Sequence, residues 1–318
     1  MRYASSSRKQ RPSVWSVSAL AKKRPLVIHR RLRDFIQLIT ALISNAYITG
    51  FLDGKIYQGG SKALCVPGLN CYACPGALGS CPIGSLQAVI GSRGRNTSLY
   101  VGGFLAGVGA TLGRFVCGWL CPFGWFQDLL YKIPFPKKLR RLPGEKFLSL
   151  FRYLVLLVLV IILPIFAVDF IGQGTPWYCK WVCPSGTLSG LLLLAGNAPL
   201  RSVTGWLFAW KNLILLVTVG VSLFLYRPFC RYVCPLGAIY GVANHFSLYR
   251  LEIDTEACVE CGACQRACKL DIPTYKTPNS SACIRCGDCI KACPYSAIKS
   301  GFRTKVKPAS KVASGCQG

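Results

Sequence analysis

Residues 258–269 read Cys258-Val-Glu-Cys261-Gly-Ala-Cys264-Gln-Arg-Ala-Cys268-Lys269, and residues 283–294 repeat the pattern as Cys283-Ile-Arg-Cys286-Gly-Asp-Cys289-Ile-Lys-Ala-Cys293-Pro294. Two successive C-x2-C-x2-C-x3-C runs are the spacing with which a small α+β domain encloses two [4Fe–4S] clusters. Three cysteines of a run hold one cubane, and the fourth reaches across to the other. That rule assigns Cys258, Cys261, Cys264 and Cys293 to one cluster, and Cys283, Cys286, Cys289 and Cys268 to the second. Gly262 and Gly287 fall inside the tight ligand loops, where a side chain would crowd the cluster. Lys269 stands where the second run has Pro294. A zinc site or free thiols account poorly for eight cysteines at this spacing. The expectation is a βαββαβ-type ferredoxin-like domain over 251–300, followed by a basic tail over 301–318.

Upstream the composition changes. The chain of 318 residues is 52% hydrophobic and only 15% charged, which suits a bilayer more than water. Apolar segments at 35–52, 99–116, 153–170 and 206–226 are each near the ~20 residues that span hydrocarbon. The fold class expected is therefore an α-helical membrane domain over 35–250, of about four transmembrane helices, joined to the ferredoxin-like domain. The net charge of +27 follows topology rather than a nucleic-acid face. Residues 1–34 form a basic tail with ten Lys/Arg before Asp34 and no acid, and the loop 132–152 carries seven basic residues against Glu145 alone. Both lie beside apolar segments, as positive-inside sorting predicts. This places N- and C-termini on the cytoplasmic side of a cell (inner) membrane crossed several times. With only two histidines and no C-x-x-C-H, haem ligation is unsupported, and no G-x-G-x-x-G follows a strand.

The membrane part repeats. C-x-x-x-C-P occurs as Cys117/Cys121, Cys179/Cys183 and Cys230/Cys234. Arg114-Phe-Val-Cys117-Gly-Trp-Leu-Cys121-Pro122-Phe-Gly parallels Arg227-Pro-Phe-Cys230-Arg-Tyr-Val-Cys234-Pro235-Leu-Gly, and Cys81-Pro82-Ile-Gly-Ser-Leu parallels Cys183-Pro184-Ser-Gly-Thr-Leu. Each half then reads as span, outer cysteine element, span, inner cysteine element, with a functional site expected where the halves meet. Spacing of four places each cysteine pair on one helical face, and the proline ends or breaks that helix. The four inner thiols, Cys117, Cys121, Cys230 and Cys234, suit a third cubane, while copper or inert thiols stay open as alternatives. Arg114 and Arg227 either offset cluster charge or snorkel to the interface. Outside, Cys71, Cys74, Cys81, Cys179 and Cys183 give five candidates for four positions in a fourth cluster. The metal-ligand candidates carried forward there are Cys74, Cys81, Cys179 and Cys183, with a disulfide or redox dithiol as alternatives. Cys65 and Cys316 have no partner pattern. Tyr72, Trp177, Tyr178 and Trp181 read as an interfacial belt rather than a quinone site, and His245 as structural.

Paired C-x-x-x-C-P motifs beside membrane spans, followed by a two-cluster ferredoxin, resemble the NapH/NosR-type membrane polyferredoxins over roughly 35–300. The resemblance implies electron transfer between cytosolic donors or the quinone pool and a membrane or extracytoplasmic redox partner. It carries over to Cys117, Cys121, Cys230, Cys234 and the eight ferredoxin cysteines. Two departures stand out. No extracytoplasmic flavin domain precedes the first span, and the Cys71-Tyr-Ala-Cys74-Pro75 stretch and the Cys179/Cys183 motif are additional. The reading is a membrane-embedded iron–sulfur electron-transfer subunit, compatible with a quinol dehydrogenase component. Its partners are the lipid bilayer and a redox protein or quinone, not nucleic acid. The alternative is a thiolate copper reductase or assembly factor. Clusters at opposite faces of a ~30 Å hydrocarbon core would stand too far apart for direct exchange, so either the motifs enter the membrane or something bridges the gap.

Overall fold

The computed structural model describes residues 26–92, 99–167, 174–196 and 205–302. Cys316 and residues 1–25 lie outside them, as does nearly all of the 301–318 tail. Two helices, Phe147–Phe166 and Trp206–Phe224, are long and apolar enough to cross a membrane. A π-helical stretch, Leu156–Ile162, runs through the first of them.

The other two expected spans take a different form. A helix over Leu26–Ser44 begins inside the stretch read as a tail, and Thr49–Asp53 is a separate turn of helix. Leu99–Leu112 stops at Gly113, whose φ of 55° is left-handed, before a short helix resumes over Phe115–Trp119. Burial runs opposite to that of a water-soluble bundle. Arg33, Gln37, Gln87, Arg114, Gln127, Asp128, Arg152 and Arg227 are inside, while Phe147, Leu150, Leu154, Leu157, Leu213 and Leu216 face outward.

Four of the six Cys-Pro dipeptides, those at 81, 121, 183 and 234, do not end helices; they begin them. Pro82–Gly91, Pro122–Lys132, Pro184–Gly196 and Pro235–Ala243 each start on the proline. Proline suits the first helical position because its missing N–H has no intrahelical partner there and its φ is preset. The preceding cysteine is the extended N-cap, as at Cys81, Cys121 and Cys234. Cys117, Cys179 and Cys230 sit in short helices just upstream: Phe115–Trp119, Trp177–Trp181 and Pro228–Tyr232. The expectation that each C-x-x-x-C pair shares one helical face is therefore corrected. A helix break separates the two cysteines, and both are buried or half-buried.

At the C-terminal end, β1 (Tyr249–Ile253) pairs antiparallel with β2 (Ile298–Phe302), with Leu251 opposite Ser300. Short helices Ala263–Ala267 and Asp288–Ala292 follow Gly262 (φ 71°) and Gly287 (φ 83°). Among the described residues this is the only sheet, so the expected βαββαβ order is reduced to its outer strand pair. Helix Leu26–Ser44 packs against both Pro122–Lys132 and Asp288–Ala292, tying the two parts together.

Candidate metal centre

In the C-terminal domain, Cys258, Cys261, Cys264 and Cys293 line one small enclosed cavity with Tyr275, Tyr295 and Ile298. Cys268, Cys283, Cys286 and Cys289 all lie within electrostatic reach of one another. Each set thus takes three cysteines from one run and the fourth from the other. Glu260 and Arg285, at matching positions in the two runs, both adopt left-handed φ (51° and 52°), which curls the loops around the sulfurs. Burial pushes the Cys283 and Cys286 thiols up to about 11. These groups are therefore neutral when free, and a metal must displace their protons on binding.

The inner thiols also converge. Cys117, Cys121, Cys230 and Cys234 are buried, and every pair among them is within electrostatic reach. Cys121 Sγ accepts the Gly124 and Leu69 N–H groups, each at 3.4 Å. At looser geometry the Gly84, Gly186 and Gly237 N–H groups face Cys81, Cys183 and Cys234. A helix N-terminus presents free N–H groups and a positive dipole end, both of which favour a thiolate. Arg114 and Arg227 do not snorkel; they are 2% and 1% exposed. Each reaches the opposite half, Arg114 Nη2 donating to the Cys230 carbonyl at 3.0 Å and Arg227 Nη1 to the Cys117 carbonyl. Gln127 Nε2 donates to Cys230 Sγ at 3.0 Å.

In the remaining group, Cys71, Cys81, Cys179 and Cys183 are all within mutual electrostatic reach. The expectation named Cys74 here, but among these cysteines Cys74 is coupled only to Cys71. All described cysteines are free thiols. No three or more His, Cys, Asp or Glu donors among the described residues stand close enough to share a single ion.

The two membrane-side sets are neighbours rather than residents of opposite faces, which corrects the expected separation. Tyr178, fully buried, lies within electrostatic reach of Cys81, Cys179 and Cys183 and also of Cys234. Tyr240 likewise is near Cys117, Cys121 and Cys81. Tyr178 and Tyr240 are thus core residues, and Tyr178 leaves the expected interfacial belt. His245 is exposed and hydrogen-bonds Val242 O locally.

The C-terminal domain docks directly on the inner set. A Cβ at Gly118 would collide with the Ile284 carbonyl oxygen. Trp119 Nε1 donates to Arg285 O at 3.1 Å, and Asn244 Nδ2 to Cys283 O at 2.7 Å. Gln87, Gln127, Asn244, Asp128 and Lys211 were not singled out from sequence. Only the glutamines carried a signal, the shared C-P-x-G-x-x-Q of 81–87 and 121–127.

A 4Fe-4S binding domain family matches the chain three times, over 97–143, 151–200 and 206–251. Each match contains one C-x-x-x-C-P motif. A second family of the same description matches 277–299. The chain is similar to the Regulatory protein NosR of Pseudomonas aeruginosa, 30% identical over 48% of this chain and 20% of that protein. It is also similar to the methylamine utilization ferredoxin-type protein MauN of Methylorubrum extorquens, 29% identical over 49% of this chain and 47% of that protein. The chain is a NosR/NapH-type iron–sulfur protein. An uncharacterized protein of Methanocaldococcus jannaschii is 31% identical over 50% of this chain. The matched stretch spans about half the length of that relative, 53%, and as little as 20% of NosR. No solved structure matches. [4Fe–4S] binding follows for this NosR/NapH-type chain from the family matches, and two helices are long and apolar enough to cross a membrane.

Proposed function

We propose that this chain is a membrane-embedded one-electron relay between a soluble redox protein and a partner in or across the membrane. The observation that carries it is the docking of the Cys283–Cys286 loop onto the Cys117 helix through Gly118, which brings two four-thiol sets side by side. In this reading Cys258, Cys261, Cys264 and Cys293 hold one [4Fe–4S] cluster, Cys268, Cys283, Cys286 and Cys289 a second, and Cys117, Cys121, Cys230 and Cys234 a third. Such clusters accept and release single electrons at potentials set by charge, hydrogen bonds and exposure. Arg114 and Arg227 neutralise charge at the third site, and Gln127 directs an N–H at one of its sulfurs.

Outward apolar faces on Phe147–Phe166 and Trp206–Phe224 around a polar interior support embedding in lipid. We read four crossings, with both termini cytoplasmic and the C-terminal domain (251–300) facing soluble partners, its basic flanks drawing acidic carriers. An apolar cavity of about 320 Å³ beside both membrane-side thiol sets, lined by Phe51, Leu69, Cys74, Trp125, Phe126 and Leu188, suits a quinone ring. The Trp125 indole N–H is buried without a partner there.

The test is iron and acid-labile sulfide per chain after anaerobic extraction from membranes, with EPR of the reduced protein. The relay predicts at least about 12 Fe, three cubanes' worth, with Cys121→Ala losing about four. About 8 Fe, unchanged in Cys121→Ala, would leave the membrane thiols without a cluster.

A further inference from the structure

One set of thiols in the helical part is left over. The family matches begin at residue 97, after Cys71 and Cys81, so no assignment reaches this set as a whole. We propose that Cys71, Cys81, Cys179 and Cys183 hold a further [4Fe–4S] cluster beside the inner one, with Cys74 outside the ligand set; this rests on reading the chain as an iron–sulfur relay.

The set is built like the inner one. Cys81 and Cys183 immediately precede Pro82 and Pro184, the first residues of their helices. Their two partners cross between halves. A Cβ at Gly186 would stand 3.1 Å from Cys71 Sγ, and one at Gly84 would stand 3.8 Å from Cys179 Sγ. Each upstream sulfur is therefore seated over the first turn of the other half's Cys-Pro helix, Cys71 the more tightly of the two. These four cysteines, and not Cys74, line a cavity of about 260 Å³. That is space for several waters, or for one compact inorganic core. A disulfide would need only two of the thiols and no cavity.

Two further groups fit an anionic cluster. Lys211, the single charged residue of helix Trp206–Phe224, lines this cavity. Its Nζ donates to the Cys179 carbonyl at 3.3 Å and lies within electrostatic reach of Cys71 and Cys183. An ammonium placed on a membrane helix is expensive unless a negative partner holds it. Gln87, fully buried, donates Nε2–H to Cys179 Sγ at 3.2 Å. Its Oε1 accepts the Tyr178 N–H at 3.1 Å, which fixes the amide so that N–H and not C=O faces the sulfur. Gln127 treats Cys230 in the same way at 3.0 Å, so the two sites share a design across the repeat.

The full chain is purified anaerobically as wild type, Cys71→Ala, Cys74→Ala and Cys117→Ala, and iron, sulfide and reduced-state EPR are compared. Cys71→Ala is expected to lose about four Fe per chain, one cubane, and one EPR species; Cys74→Ala is expected to lose none. Full iron and an unchanged spectrum in Cys71→Ala overturn the site, and equal loss in Cys74→Ala overturns the ligand set. Iron lost in Cys117→Ala but not in Cys71→Ala leaves the relay standing without this cluster; iron lost in neither removes both membrane clusters. Should Cys71→Ala fail to accumulate, Gln87→Leu decides. Wild-type iron with one species shifted in midpoint potential supports the site, and an unaltered set of potentials overturns it.

Discussion

Gln127 shows what a single side chain does in this interior. It has no exposure and donates to Cys230 Sγ at 3.0 Å. An N–H aimed at a ligating sulfur favours the more negative, reduced state of a cluster. A neutral hydrogen bond is worth about 0.5–1.5 kcal/mol net, and a one-electron couple shifts 59 mV per tenfold change in equilibrium constant. Gln127→Leu is therefore expected to lower one midpoint potential by about 20–60 mV while iron content stays at the wild-type value. EPR-monitored redox titration reads this, and an unmoved potential removes Gln127 from the site. The two arginines follow the same logic. From sequence Arg114 and Arg227 were as consistent with snorkelling as with charge offset, because spacing does not reveal that a motif from the other half will cover them. Their partners, the Cys230 and Cys117 carbonyls, are more than a hundred residues away in the chain.

Helix Pro122–Lys132 gathers several of these devices. It starts at the Cys121 N-cap, aims Gln127 at a sulfur, and one residue later places Asp128 between two arginines. Arg227 Nε donates to Asp128 Oδ1 at 2.7 Å, and Arg33 Nη2 to Oδ2 at 3.4 Å. Burial alone would raise the Asp128 carboxyl. The charge and hydrogen bonds of Arg227, then the charge of Arg33, overcome it and hold the group below the usual carboxylate value. The stability this lends is present above the unfolded value near 4 and is lost as pH falls through the lower folded value. Removing one member of a buried ion group costs about 3–5 kcal/mol, because the others are left unpaired. Asp128→Asn is therefore expected to lower thermal stability in detergent by about that amount, with a flatter acid limb than wild type; equal stability of the two proteins would show the triad to be idle. At this scale the sequence was legible where ligands and breakers are adjacent. Proline after cysteine at 82, 122, 184 and 235 marked a helix boundary, but its sense was reversed, since a proline that cannot continue one helix is equally suited to open the next. Cys71-Tyr-Ala-Cys74-Pro75 pointed to Cys74 by its resemblance to the other Cys-Pro motifs. Only the fold shows Cys71 turned toward Cys81, Cys179 and Cys183.

The whole molecule is two parts joined by a close backbone contact. Asn244 closes the joint. Its Oδ1 accepts the Arg114 N–H at 2.8 Å, and its Nδ2 donates to the Ser280 and Cys283 carbonyls at 3.0 and 2.7 Å. Gly118 lets the Ile284 carbonyl approach where any Cβ would collide. Gly118→Ala is expected to keep its full complement of iron while exchange between the C-terminal and membrane-side clusters slows by an order of magnitude or more. Stopped-flow reduction at cluster absorbance checks this, and wild-type rates would mean that the contact is not the route. The C-terminal ligand sets were legible because each is nearly contiguous in sequence. The helical part was not, because its sets join residues from distant repeats. At 35–52 and 99–116 apolar content did not reveal the break at Gly113 or the separate turn at Thr49–Asp53.

The crossed arginines also impose an order of birth. Arg114 has no Cys230 carbonyl to bind, and Cys117 no Arg227, until the ribosome has delivered the second half of the chain. The inner site thus cannot close while the protein is being made. Cys117 and Cys121 wait as bare thiols until Cys230 and Cys234 have been made, so a cluster held by all four would be loaded late.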